Sequence, residues 1–155
     1  MDPRRSSDTF SAGQVCRYSD IPYRTLDYWS SSGLIPASVH EHEGKGTWRG
    51  YSFRDLIFLR VARRVRESGL SLHGIRLLQR CLQQHRHLEA PPADTYVVTN
   101  GRDVCTILRG QRAVWTFVTT PARRSLPWLV LDLSQTVKEV CQAILAERES
   151  FSEPV

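Results

Sequence analysis

Cysteine is scarce and scattered. Cys16, Cys81, Cys105 and Cys141 are the only four in 155 residues, and no C-x-x-C pair occurs. That spacing argues against a zinc ribbon or a disulfide scaffold and suits thiols kept reduced in a cytosol. No apolar run approaches the roughly 18 residues of a membrane span. The leading residues, Met1-Asp2-Pro3-Arg4-Arg5-Ser6-Ser7-Asp8, have no apolar stretch behind their arginines, so no secretory signal is expected. A Gly-rich phosphate loop, G-x-S-x-G and H-E-x-x-H are all missing. Asp103, Asp132 and Glu139 belong to no motif, so neither a catalytic residue nor a cofactor is expected. These absences leave a soluble, cytoplasmic, non-enzymatic protein.

Lysine is nearly missing as well: 19 of the 21 basic residues are arginine. Their distribution is one-sided. Residues 1–90 hold 14 basic and 9 acidic side chains, whereas residues 91–155 hold 7 of each, so the whole net charge of +5 sits in the first part. Arginine grips phosphates and guanine edges bidentately, which makes an arginine-dominated basic segment a pointer to nucleic acid. A merely solvated basic surface has the same composition. Hydrophobic residues at 41% are enough to build a core.

Pro91 and Pro92 break any helix that reaches them and set the expected domain boundary. Residues 1–8 read as a disordered arm, 9–90 as one domain, 93–147 as a second, and 148–155 as a frayed tail. In the first domain, Ser11 and Gln14 form a capping box that opens a short helix running to about Arg17. A second helix starts near Pro22 and ends before Gly33. Two extended arms around Gly44-Lys45-Gly46 describe a β-hairpin over residues 35–52. Ser52 and Asp55 cap a third helix that stops at Gly69, and Ser71 caps a fourth that runs to about His87. Helix, turn, helix, hairpin, helix, helix is the order of a winged helix-turn-helix.

Four segments, in this order, resemble the MerR family of transcriptional regulators: Phe10-Ser11-Ala12-Gly13-Gln14-Val15, Tyr23-Arg24-Thr25-Leu26-Asp27-Tyr28-Trp29, Gly33-Leu34-Ile35-Pro36, and Arg49-Gly50-Tyr51-Ser52-Phe53-Arg54-Asp55-Leu56. A fifth, Gly69-Leu70-Ser71-Leu72-His73-Gly74-Ile75, extends the likeness to about Leu82, roughly half of the chain. Leu-Asp-Tyr-Trp in the second helix is similar to a subset common in actinobacteria, whose members carry a small C-terminal domain. Three features depart from the family pattern. Asp27 stands where arginine is usual, Pro22 replaces a capping serine, and Pro91 and Pro92 cut off the long dimerising helix.

The resemblance implies a homodimer that binds a roughly palindromic promoter element in double-stranded DNA and distorts it, with RNA polymerase as a candidate partner. It implies that the second helix enters the major groove with Tyr23 and Arg24 leading, and that Arg49 and Tyr51 meet the phosphate backbone at the wing. From the residues themselves, the early positions of a recognition helix face base edges, and arginine is the commonest base reader. Lys45 and Arg49 are free of core duties and can reach phosphates. Gln14, Thr25, Tyr28 and Arg63 complete the candidate DNA-binding set. Tyr28 and Trp29 have packing as the alternative role, and Arg60, Arg63, Arg64 and Arg66 can equally solvate the third helix. His40-Glu41-His42-Glu43 and the pair Cys81 and His85 have metal-ligand spacing but no completed ligand set, so no metal is expected. Cys105 and Cys141 read as single core thiols.

The second half reads as a small mixed domain, making the fold class α+β. Tyr96 to Thr99 and Val104 to Ile107 are strands joined by an Asn100-Gly101 turn. Residues 113–119, with Val114, Trp115, Phe117 and Val118, read as a further strand, and residues 128–131 as a fourth. A last helix spans about residues 134–147. Leu133, Val137, Val140 and Ile144 recur at a/d spacing and are the candidate dimerisation seam; the alternative is that they cover the domain's own sheet. Trp115, Phe117 and Trp128 either line a pocket or fill the core, and a small-molecule effector is left open. Against the regulator reading stand two others: an architectural protein that bends DNA without an effector, and a protein-interaction adaptor whose winged helix no longer binds DNA.

Overall fold

The computed structural model describes residues 8–35, 39–41, 48–119 and 127–152, with the side chains of 39–41, 48, 49 and 119 left aside. The fold is α+β; the described residues form six helices, a two-stranded hairpin and a three-stranded antiparallel sheet. Two compact units divide it, one made of residues 1–60 and 138–155, the other of residues 61–137.

The first unit opens with α1 (Ala12–Ser19). Its capping box is complete: Gln14 N–H donates to Ser11 Oγ at 3.3 Å, and Ser11 N–H donates to Gln14 Oε1 at 2.9 Å. Asp20 ends the helix in the left-handed region (φ 56°), a conformation Asp tolerates better than most side chains. Next, α2 (Tyr23–Ser31) has Pro22 as its N-cap with no side-chain bond, as expected of a residue without a capping oxygen. The Pro22 carbonyl accepts from Thr25 and Leu26 at 3.0 and 3.1 Å, so the first turn forms without one. After Gly33 (φ 71°) the chain folds back, with Leu34 and Ile35 both donating to Trp29 O.

The wing is the antiparallel pair β1 (Val39–Glu41) and β2 (Trp48–Gly50), registered His40 to Arg49. Its tip, including Lys45, His42 and Glu43, lies outside the described residues. Phe10 and Tyr51 exchange two backbone hydrogen bonds at 2.8 and 3.0 Å, tying the start of the domain to the foot of the wing. α3 (Phe53–Glu67) follows from the reciprocal cap of Ser52 and Asp55. Val15, Ile21, Leu26, Trp29, Leu34, Tyr51, Leu56 and Ile57 are buried in this unit, with Phe10 edge-on to Tyr18.

In the second unit, Ser71 caps α4 (Leu72–Gln83), which ends four residues short of the expected His87. β3 (Thr95–Thr99) and β4 (Cys105–Arg109) form a hairpin, and β5 (Leu129–Asp132) pairs with the other edge of β3, giving the order β4-β3-β5. The hairpin turn is longer than a two-residue Asn-Gly turn. Asn100 Oδ1 accepts from the amides of Arg102, Asp103 and Val104, so one side chain organises the whole loop. Gly101 sits at φ 70° inside it.

One expected strand is a helix. Residues 113–119 fall within α5 (Gln111–Thr119), with Thr116 Oγ1 donating to Arg112 O as in a helix interior. Its β-branched and aromatic residues favour strands on propensity alone. The burial, however, has helical period: Val114 is buried, Phe117 and Val118 are half-buried, and Trp115 between them is 69% exposed. Tertiary packing outweighs propensity here.

The last helix, α6 (Leu133–Ser152), has 20 residues and starts from Asp132, whose Oδ1 accepts Gln135 N–H at 2.9 Å. The expected frayed tail from 148 is helical to Ser152. Residues 138–152 pack in the first unit, where Glu147 bonds Arg17 and Arg148 Nη2 bonds Asp8 Oδ2 at 3.0 Å. The expected boundary after Ala90 follows composition and motif, whereas the compact units follow packing, so α3 and α6 each run from one unit into the other.

Candidate nucleic-acid interface

The arrangement of α2 separates two faces. Leu26 and Trp29 are buried at 1% and 4% exposure, which anchors one side of the helix. The opposite side carries Tyr23 (64% exposed), Arg24, Asp27, Tyr28 (56%) and Ser31. These positions recur at three- and four-residue intervals, so they share one exposed face. Packing therefore separates Trp29 from Tyr28: only Trp29 is a core residue. Thr25 lies at the margin and is half-buried. Arg24 projects beside two exposed tyrosines, a combination that can donate a charged fork and stack.

Other candidates prove to have structural duties. Gln14 is held in the α1 capping box. Tyr51, expected at the phosphate backbone, is 1% exposed, and its hydroxyl shares a hydrogen bond with Ser30 Oγ at 3.1 Å. That is a correction: Tyr51 holds the wing foot to α2 and cannot reach a phosphate from the core. Arg63 Nε donates to Glu67 Oε1 at 2.8 Å along α3. Its neighbours are engaged in the same way, Arg60 with Glu139, Arg64 with Thr136 Oγ1, and Arg66 with the Leu70 carbonyl. Backbone register puts Arg49 opposite His40 on the wing. Lys45 is outside the described residues.

A residue that sequence reasoning missed is Arg17. It projects from α1 but is clamped by both carboxylate oxygens of Glu147. Those hydrogen bonds hold the Glu147 carboxyl below its usual range and raise the guanidinium of Arg17. Burial, reinforced by a bond to Glu147, pushes the Tyr18 phenol up to about 12. The partners are 130 positions apart in the chain, so no local spacing reveals them.

Leu133, Val137, Val140 and Ile144 are 0–4% exposed. This corrects the dimer seam: the stripe fills the chain's own interior and is not presented to a second copy. In the second unit, a groove of about 340 Å³ is lined by Tyr96, Gln111, Val114, Trp115 and Val130. Phe117 and Trp128 pack edge to face at 5.1 Å instead of lining it. Among the described residues, no three His, Cys, Asp or Glu side chains converge as metal ligands, and no helix is long and apolar enough to cross a membrane.

Residues 10–81 match the family model described as MerR HTH family regulatory protein. The chain is also 32% identical over 145 residues to uncharacterized HTH-type transcriptional regulators of Mycobacterium bovis and of two strains of Mycobacterium tuberculosis. The match covers 89% of this chain and 64% of theirs, so the chain spans less than two thirds of their length. A capped α1, an α2 with one exposed polar face, a hairpin, α3 and most of α4 fall inside the matched segment, and over residues 10–81 the chain is similar to the MerR family of HTH regulatory proteins.

Proposed function

We propose that the protein is a DNA-binding transcription regulator whose α2 reads the major groove. The observation that carries this reading is the exposed face of α2, with Arg24 between Tyr23 and Tyr28 and nothing apolar left to bury there. An α-helix fits the major groove, and an exposed arginine near its start is suited to guanine O6 and N7. Arg49 on the wing would contribute a phosphate contact that orients the helix. In this reading the protein acts as a homodimer on a roughly palindromic element and distorts it, because a two-fold site requires a two-fold protein.

The test is duplex binding across a salt series, followed by footprinting on genomic fragments that the full chain selects. A regulator gives a discrete footprint and an affinity that falls steeply with salt. A uniform, footprint-free association would favour the architectural alternative, and no duplex affinity the adaptor. The acidic Asp27 on the same exposed face is the observation that keeps the adaptor in view.

A further inference from the structure

Cys105 follows Cys81 by 24 residues, yet α4, which carries Cys81, packs against β4, which carries Cys105, and the two thiols perturb each other's titration. Both are free and half-buried, within reach of a small oxidant. The contact is prepared by the way α4 lies against the β3–β4 hairpin. Gly74 rests directly on Gly101: a Cβ at 74 would stand 2.8 Å from the Gly101 carbonyl oxygen. Beside it, His73 Nε2 lies 2.9 Å from the Arg102 carbonyl oxygen. Cys81 is seven residues beyond Gly74, two turns further along the same helix face. The close approach at the glycines therefore brings a second point of α4 against β4, and a cysteine stands on each side of it.

We propose that Cys81 and Cys105 form a reversible disulfide, an oxidative modification site that links α4 to β4 when the protein meets hydrogen peroxide. Cys81 is the attacking thiol. Its interaction with Cys105 draws its pKa below the ordinary thiol value, while the same interaction and burial hold Cys105 well above it. The Cys81 thiolate attacks one peroxide oxygen, the O–O bond breaks, and the departing oxygen takes up a proton and leaves as water. Cys81 is then a sulfenic acid. The sulfur of Cys105, giving up its proton, attacks the sulfenic sulfur; the S–O bond breaks and a second water leaves. Two thiols lose two electrons and one peroxide becomes two waters. A small-molecule dithiol reverses the step by exchange.

The bond would join the last residue of the MerR-matched segment to the sheet that follows it, closing a loop that contains Pro91 and Pro92. Constraint of the unfolded chain then raises the melting temperature.

The experiment uses the reduced full chain treated with hydrogen peroxide. Intact mass should fall by about 2 Da, the loss of two hydrogens. Trypsin without reductant should release residues 81–86 joined to residues 103–109, with Cys16 and Cys141 still open to alkylation. Melting should shift upward and return with dithiothreitol. Cys81→Ser and Cys105→Ser should each abolish the mass loss, while Cys105→Ser leaves a dimedone-reactive Cys81. A linkage through Cys16 or Cys141, a linkage between chains, or over-oxidation of separate thiols without the joined peptide would each overturn the proposal.

Discussion

Arg24 and Tyr51 have opposite fates although both are polar residues of the matched segment. Arg24 stands exposed on α2, where its guanidinium can be desolvated against a base edge. Arg24→Ala should relax base preference and weaken specific binding by about 1–3 kcal/mol if its contact is bidentate. Equal losses on specific and random duplexes would restrict it to phosphate. Tyr51 has its ring in the core and its hydroxyl on Ser30. Tyr51→Phe keeps the ring and removes the bond, so unfolding titrations should show a loss of about 0.5–1.5 kcal/mol. The salt slope of DNA binding should not move. A lowered slope with unchanged stability would return Tyr51 to the interface.

Among the elements, α4 depends on the closest backbone approach. Alanine in place of Gly74 would gain about 1 kcal/mol in helix propensity. It would also press a methyl onto the Gly101 backbone at 2.8 Å, where no flexible side chain can yield. Overpacking of this kind costs about 1–3 kcal/mol, so Gly74→Ala should lower the melting temperature despite its better propensity. A rise would show that α4 and the hairpin can separate freely. At the end of α6, Arg17 and the Tyr18 hydroxyl hold the Glu147 carboxylate charged in the fold. A carboxyl depressed in the folded state contributes stability above its unfolded value, and that contribution disappears as pH falls through the lowered value. Glu147 is half-buried but its partner Arg17 is exposed, so solvent screens the pair and the effect is small and local. Hydrogen exchange should show the last turns of α6 opening below about pH 4, near the unfolded carboxyl value. Glu147→Gln should open them already at neutral pH. Tyr18 has the opposite sign: with its phenol at about 12, its contribution is complete below the ordinary value and fades only in strong alkali.

Across the whole molecule, the return of α6 to the first unit matters most. Val140 and Ile144 are fully buried there, 50 or more residues beyond the end of the fourth helix. A version ending at Ala90 removes both side chains along with Glu147 and Arg148. Truncating one buried aliphatic side chain typically costs about 2–5 kcal/mol, and losing this much core should leave residues 1–90 without a sharp thermal transition. A cooperative melt close to that of the full chain would make residues 9–90 an independent domain after all. Oligomeric state is therefore measured on the full chain, by light scattering.

Local chemistry made much of this molecule legible in its sequence. Ser11 with Gln14, Ser52 with Asp55, and Ser71 announce three helix starts because a capping oxygen and its amide lie within one turn. Gly33 and Gly69 mark stops because both need positive φ. The order of those signals was enough to place the winged helix-turn-helix and to put Arg24 near the start of its second helix. What depends on distant partners was not legible. Residues 113–119 have strand-like composition and become part of α5 once one side has a core to face. Tyr51 looks like a wing residue and becomes a core residue because Ser30 waits on α2. The α6 stripe, the Arg17–Glu147 clamp and the meeting of Cys81 with Cys105 were left to the tertiary structure, since burial and long-range pairing depend on what the fold brings close and not on neighbours along the chain.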